Sequence, residues 1–600
     1  MGLGILEDSR LDHVPDPISN SDCAGTTFIL EDDSSTVEQL APSLHLKYDH
    51  SGPTPVILVP QPSNDPNDPL NWPLWKRDAI LAILSFVSLL CATTSPLLAA
   101  NTATLAFHYE VSFTDAALLT GYHLCGVGVA GLLFVPSARV WGKRHLYILG
   151  CVVMIISSAW GGASSGSYGS LLAARVFQGV GLAPFEALVN ASVGDLFFVH
   201  ERGKRMALSN VALFGGSFLT PVIVGKLTAS MGWEWTFNFL AIFSGVCLPL
   251  VIFCVPETAF RRAAHLNTDI EGEYGRGDGF HNPANTTTTQ PLESETENKS
   301  SSSQKSREEE AKKEAAEVET NVEDRNDHGG TEGATHDTHD THDIIPPKAT
   351  YWQTLKLFNG RKTDESYWKL FLRPLPLFLH PGILWACLTQ GVLIGWTVFI
   401  GVVLAVIFSV PPLWFSEVQV GYLYTGAFIG SIAGLFLSGL LSDYTAKLLI
   451  KLNRGIYEPE FRIVLVLFQL IFSAMGLYGF GITTENVGRF GYVVPDVFFG
   501  FVIVGMVMGA VASALYVVDA HRQIAVEAFT CLLVFKNMFS FLLTYFAYDW
   551  LVLSKPKHVF TTIASIQVGV CLLSIPMYIF GKRNRSYFHR NDILKKLNLW

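Results

Sequence analysis

Apolar residues in this chain fall into long runs separated by short polar breaks. A helix that crosses a hydrocarbon layer needs about 20 apolar residues. Six such runs lie in the first half, at Ala79–Ala100, Ala116–Val135, Leu146–Ser164, Leu171–Val193, Leu208–Thr228 and Phe237–Val255. A polar gap from Thr258 to Phe378 follows. Six more runs come after it, at Ile383–Phe408, Val418–Leu441, Ile463–Ile482, Val494–Val518, Phe529–Leu551 and Thr561–Ile579. This pattern predicts an all-α polytopic membrane protein with twelve transmembrane helices in two six-helix bundles. The expected divisions are an N-terminal tail (1–75), a first bundle (76–257), a central loop (258–380), a second bundle (381–581) and a basic tail (582–600).

Composition agrees with a membrane solvent. Hydrophobic residues make up 49% of the chain and charged residues only 16%, against about 25% charged in soluble domains. The charges gather in the tails and the central loop, as expected where a buried charge is costly and every backbone polar group must pair within a helix. The net charge of −10 arises largely there and says little about a ligand. Of the 9 cysteines, all but Cys23 sit in apolar runs, for example Cys91, Cys125, Cys247, Cys254 and Cys531, and none forms a CxxC pair. They read as small packing residues. No basic stretch followed by a short apolar core opens the chain, so the run from Ala79 is expected to direct insertion.

The central loop is low in complexity: Thr286–Thr289, Ser300–Ser303, the mixed-charge Arg307–Glu319 and the Thr-His-Asp repeats from Thr335 to Asp343. Such a segment buries too little apolar surface to fold alone. His336, His339 and His342 are therefore expected in a flexible linker rather than a metal site, and the sequons at Asn285 and Asn298 as chance matches. Lys and Arg favour one set of connections: Lys76, Arg77, Arg139, Lys143, Arg144, Arg202, Lys204, Arg205, Lys447, Lys451, Arg454, Arg462, Lys582, Arg583, Arg585 and Arg590. The other set holds only Arg489, Lys555 and Lys557. The positive-inside rule then puts both termini and the central loop in the cytoplasm.

The loop after the second run reads Val135-Pro-Ser-Ala-Arg139-Val-Trp-Gly142-Lys143-Arg144, and the matching loop after the eighth reads Gly439-Leu-Leu-Ser-Asp443-Tyr444-Thr-Ala-Lys447. Two related loops at the same place in each half are the trace of a transporter repeat. They resemble the signature loop of the major facilitator superfamily, roughly Gly-x-Leu-x-Asp-Arg-x-Gly-Arg-Arg. The first copy keeps Gly142-Lys143-Arg144 but has Val135 for the first Gly and Arg139 where the Asp belongs. The second keeps Gly439 and Asp443. The resemblance implies a cytoplasmic gate at Arg139, Gly142, Lys143, Arg144 and Asp443, with Asp443 as a latch and the first-half latch altered.

The fourth run reads Ala174-Arg175-Val-Phe-Gln178-Gly179-Val-Gly181-Leu-Ala-Pro184-Phe-Glu186. An intramembrane Arg costs about 2.5–3.5 kcal/mol on insertion scales and needs a partner or a wet cavity. Eleven residues at about 100° each return to the same face, so Arg175 and Glu186 are expected roughly 16 Å apart along one polar cavity stripe near Gln178. Burial raises a carboxyl into a range useful for proton exchange, which makes Glu186 the candidate titrating or cation-binding group. Arg-x-x-Gln-Gly also resembles the family's proton-coupling motif, which implies a coupling role for Arg175. An internal ion pair that only fixes packing is the alternative. In the fifth run, Gly216, Thr220, Pro221 and Gly225 resemble a degraded antiporter signature, and ordinary small-residue helix packing explains them equally well.

The flanking text, Asp65-Pro-Asn-Asp-Pro-Leu-Asn71-Trp72-Pro73, His200-Glu-Arg202-Gly203, Gly232-Trp233-Glu-Trp235, Pro256-Glu257-Thr258 and Tyr457-Glu-Pro-Glu-Phe-Arg462, is similar to fungal carriers of the drug:proton antiporter-like group, near its low-specificity organic-cation and polyamine branch. In the second half, Gln390 and Trp396 on the seventh run and Lys536, Asn537, Ser540 and Thr544 on the eleventh are cavity candidates; an intramembrane Lys should face water or a carboxylate. Tyr516, Asp519, His521, Arg522 and Glu527 cluster where the cytoplasmic mouth is expected, and Asp519 joins the gate candidates. No Walker-type loop, HExxH or Gly-x-Ser-x-Gly elbow is present, so no cofactor beyond a proton gradient is expected. The expectation is a monomeric, non-enzymatic carrier of a small organic molecule in the lipid bilayer, without nucleic acid, in the plasma membrane or alternatively the vacuole. The alternatives are uptake of organic cations and a non-transporting sensor on the same fold.

Overall fold

A computed structural model describes residues 3–6, 27–28, 47–49, 56–58, 60–262, 347–411, 413–453, 456–521 and 524–600. His336, His339, His342, Asn285, Asn298, Arg307–Glu319, Cys23 and Arg522 lie outside these. The first half holds span one (Leu74–Ala92, then turns and Thr102–His108), span two (Phe113–Trp141) and span three (Arg144–Gly162). Span four (Tyr168–Leu196), span five (Val199–Met231) and span six (Glu234–Cys254) complete it.

The second half begins with span seven, which is Pro381–Cys387, a π turn at Leu388–Val392 and Leu393–Phe408. Span eight is Glu417–Tyr422 and Thr425–Leu452. Spans nine to eleven are Leu465–Glu485, Val493–Ala520 and Ala525–Ser554. Span twelve is Pro556–Leu572 and Ser574–Arg590. Among the described residues the strands are two antiparallel two-residue ladders, Thr27–Phe28 with Ile456–Tyr457 and Tyr48–Asp49 with Val56–Ile57.

Among the described residues, eleven helices are long and apolar enough to cross a membrane. Span one is the twelfth; its first turns carry Lys76, Arg77 and Asp78. The apolar run predicted a helix to Ala100, but regular helix stops at Ala92. The Thr93 and Thr94 hydroxyls donate to the Leu90 and Cys91 carbonyls at 2.6 Å. Side-chain bonds of this kind compete with the helix ladder, and Pro96 has no N–H to continue it. The result is a break in span one at residues 93–101.

The two halves meet along two seams, span two against span eleven and span five against span eight. Glycines allow the close approach: a Cβ on Gly121 would overlap Thr544, one on Gly128 would lie 2.6 Å from the Met538 methyl, and one on Gly421 would lie 2.5 Å from the Pro221 carbonyl. This gives the span-five residues their place. Gly216 packs on Leu89 of span one, Thr220 donates to the Gly216 carbonyl at 2.7 Å, and Gly225 and Pro221 face span eight.

The Asp65–Pro73 motif is a staple. Asp68 is fully buried and accepts from the Ser63 and Leu70 amides and the Ser63 hydroxyl. It also accepts two bonds, 3.0 and 2.8 Å, from Arg262 just beyond span six. Asn67 holds Pro347 and Ala349 ahead of span seven. Burial alone would raise the Asp68 carboxyl, but Arg262 and the amides bring it below its ordinary value. Its stabilisation is therefore complete above the unfolded value of about 4 and fades as pH falls through the lowered folded value. Asp68→Asn is expected to lower the thermal midpoint at neutral pH by about 5 °C or more. A scan of purified protein checks this, and the difference from wild type should shrink in acid.

Candidate functional site

A cavity of about 160 Å³ lies between the halves. Its walls are mostly apolar: Leu124, Leu182, Phe214, Phe218, Ile394, Val398, Phe499 and Met506 among them. Ser95, Pro96 and Ala99 from the break in span one also reach it. Glu186 from span four and Lys536 from span eleven face each other across it as an ion pair, each side chain 14% exposed. This pair connects the halves directly. Asn537 and Ser540 line the same wall, tied to their own helix through the Leu533 carbonyl at 3.0 Å and the Lys536 carbonyl at 2.6 Å. An apolar cavity with one paired charge and a few hydroxyls fits an amphipathic small molecule.

Of the other residues expected there, Arg175 and Gln178 are fully buried inside the first half. Arg175 donates to the Thr94 carbonyl at 2.8 Å, the Leu119 carbonyl at 3.3 Å and Gln178 Oε1 at 2.6 Å. Gln178 passes the chain on to Ser158 at 3.0 Å. The single polar stripe of span four is thus divided: at Arg175 it faces spans one to three, and at Glu186 it faces the cavity. Helices that cross at an angle meet different neighbours at different depths. Gln390 sits in the π turn and accepts from Ser513 of span ten at 3.2 Å. Trp396 is buried edge-on against Phe539 with ring centroids 5.6 Å apart. Neither belongs to the cavity lining.

At the basic end, Arg139 pairs with Glu527 at the start of span eleven and lies 3.3 Å from Glu365. Arg373 completes an alternating ring, 3.3 Å from Glu527 and 2.8 Å from Glu365. The guanidinium of Arg373 stacks on Trp600 at 4.7 Å. The position that holds Asp in the signature loop therefore holds an Arg whose carboxylate partner is on the opposite half.

Gly142 adopts φ +95°, and a Cβ there would overlap the Glu257 carboxylate. Glu257 accepts from the Lys143 and Arg144 amides at 2.9 and 3.1 Å, capping span three from the end of span six. Lys143 pairs with Asp195 at 2.6 Å, and Arg144 caps span six through the Val255 and Ile252 carbonyls.

Asp443 does not form the expected latch in this conformation. It is exposed and has no ion-pair partner among the described residues. Its neighbour Ser442 instead accepts from Arg462 at 2.9 Å, and Arg462 in turn holds Asp519 at 3.1 Å. Tyr457 donates to Asp519; burial and that carboxylate raise the phenol above its ordinary value. His521 meets His380 edge to face with centroids 4.6 Å apart. Burial lowers both imidazoles, His380 to about 4.

Sequence reasoning missed Glu365 and Arg373, which look like ordinary residues of a polar loop.

The Major Facilitator Superfamily profile matches residues 81–525, and the chain belongs to that family. It is similar to Protein HOL1 of Saccharomyces cerevisiae, 27% identical over 543 residues, with 89% of this chain and 91% of that one covered. It is also similar to MFS transporter cpaT of Aspergillus oryzae, 24% identical over 531 residues, with 87% and 90% covered. Its fold matches the crystal structure of a D-xylose-proton symporter with a TM-score of 0.52 at 12% identity, over 84% of this chain and 99% of that one.

Proposed function

We propose that this protein is a secondary active transporter that exports a small amphipathic organic molecule by proton-coupled alternating access. The observation that carries this reading is the Glu186–Lys536 pair, which joins the two halves across an otherwise apolar cavity. A proton taken by Glu186 removes its attraction for Lys536. The halves then lose their central electrostatic tie, and the cavity is free to open and accept substrate. Rocking of one half against the other around such a midplane site is the family's general mode. A membrane potential contributes about 2.3 kcal/mol per charge per 100 mV, enough to drive the cycle. The Lys/Arg bias supports a cytoplasmic basic end, and the plasma membrane is the proposed site.

Uptake of organic cations is the second reading, favoured by Glu186 as the carboxylate of the lining. Uptake and efflux of labelled organic cations and neutral drugs in transporter-deficient yeast, at two external pH values, separates the two. Net extrusion supports export, and inward accumulation of cations supports uptake. Glu186→Gln is expected to abolish the pH dependence in either case; unchanged coupling in that variant would remove Glu186 from the mechanism.

A further inference from the structure

We propose that residues 348–372, just ahead of span seven, form a collar that lies on the membrane surface at the basic end and takes anionic lipid headgroups.

The segment reads Lys348-Ala-Thr-Tyr351-Trp352-Gln-Thr-Leu-Lys356-Leu-Phe358 and, after a short loop, Tyr367-Trp368-Lys369-Leu-Phe-Leu372. It holds two short helices, Tyr351–Thr354 and Tyr367–Leu372. The first half fixes its depth. The Tyr351 hydroxyl donates at 2.8 Å to the carbonyl of Phe253, one residue from the end of span six. Phe358 packs on His145 at the start of span three, with ring centroids 5.0 Å apart. The Lys362 amide donates to the Val140 carbonyl at 2.8 Å, and Tyr367 lies against Trp141, the last residue of span two, with centroids 5.7 Å apart. The chain thus follows the rim where spans six, three and two leave the bilayer.

Its other large side chains turn away from the protein. Trp352 is 73% exposed and Trp368 67%, with Leu357 and Leu372 exposed as well. Phe253 and Trp141 are themselves exposed at the ends of their spans, so these side chains continue the apolar belt that lipid covers. Trp and Tyr favour the headgroup level, where an apolar ring meets water. Short segments that carry aromatics beside Lys and Arg lie in that plane.

The charges select the headgroup. The carboxylates within the collar are engaged, Asp364 by Arg261 and Glu365 by Arg139 and Arg373. Among the described residues, Lys348, Lys356 and Lys362 have no carboxylate partner, and the Arg361 guanidinium meets only the Thr363 and Glu365 carbonyls. Lys348 also lies close enough to Lys76 of span one to repel it, and Lys76 rests on the Trp72 ring at 3.9 Å. Two uncompensated cations side by side gain from an anion between them, which a negatively charged membrane surface supplies. The collar runs directly into Arg373, so its hold on the surface places the chain that delivers this guanidinium to the ring with Arg139, Glu365 and Glu527.

The test uses full-length protein labelled with fluorotryptophan in vesicles of phosphatidylcholine, with and without phosphatidylserine. The collar signals are those lost in Trp352→Phe and in Trp368→Phe. The expected result is broadening of both by a lipid carrying a nitroxide near its headgroup, with little effect from a water-soluble gadolinium chelate. Phosphatidylserine should increase the lipid broadening, and combining Lys348→Glu, Lys356→Glu and Lys362→Glu should remove that increase. Signals broadened by the chelate and not by the lipid label would overturn the collar. Equal broadening in the two vesicle types, or an increase that survives the triple variant, would overturn its preference for an anionic surface.

Discussion

Lys536→Met is expected to abolish pH-driven accumulation, with initial rates down about a hundredfold. Removing one partner of a buried ion pair costs about 3–5 kcal/mol because the remaining charge is left without compensation, and each 1.4 kcal/mol is tenfold. Both side chains are 14% exposed, so solvent screens little of this. Without Lys536, Glu186 faces walls such as Leu182, Phe214 and Met506. The carboxylate lowers its energy by keeping a proton, and the proton no longer cycles. Exchange of labelled against unlabelled compound at equal pH needs no cycling proton and should survive. The charge swap Glu186→Lys with Lys536→Glu restores an attractive pair and should recover at least part of the flux. If Lys536→Met transports at the wild-type rate with the wild-type pH profile, the pair is only a packing feature.

The second large effect is at the basic end. Arg139→Glu should leave this end open. In the wild type two guanidiniums, Arg139 and Arg373, alternate with two carboxylates, Glu365 and Glu527. The substitution gathers three carboxylates around Arg373, and like charges at this distance repel. A cysteine placed in the cavity at Ser540 should then react with a membrane-impermeant thiol reagent from the basic side about tenfold faster, and transport should fall. Inverting all four charges, Arg139→Glu and Arg373→Glu with Glu365→Arg and Glu527→Arg, rebuilds the alternation and should reverse both effects. No change in labelling would mean that the ring does not hold the ends together.

Much of this architecture was legible in the sequence, because a bilayer enforces long apolar helices and the chain shows twelve such runs. The early end of span one was missed, because hydrophobicity alone carries the run to Ala100 and the hydroxyl bonds of Thr93 and Thr94 to the backbone, with Pro96 beyond them, outweigh it. Within the site, Glu186, Lys536, Asn537 and Ser540 stood out because ionisable or polar residues inside a span are costly and need a reason. Their partners did not stand out: helical periodicity gives the face a residue occupies but not the helix that covers it. That is why Arg175, on the same stripe as Glu186, proved to be a core residue bonded to carbonyls, with Gln178 bonded to it and to Ser158, and why Gln390 and Trp396 proved to pack within the second half. The Arg139–Glu527 pair was half legible. Arg139 in an acidic position signalled a change, but Glu527 could be paired with it only in three dimensions.

Alternating access around the Glu186–Lys536 pair is tested most directly by paired spin-label distances at the two ends of the molecule. Labels at Trp141 and Leu448 report the basic end, and labels at Phe107 and Leu553 the opposite end; all four positions are exposed. The expected result in lipid vesicles is two distance populations at each end that shift in opposite directions as pH is lowered, with the shift lost in Glu186→Gln. A single, pH-independent distance at both ends would contradict it.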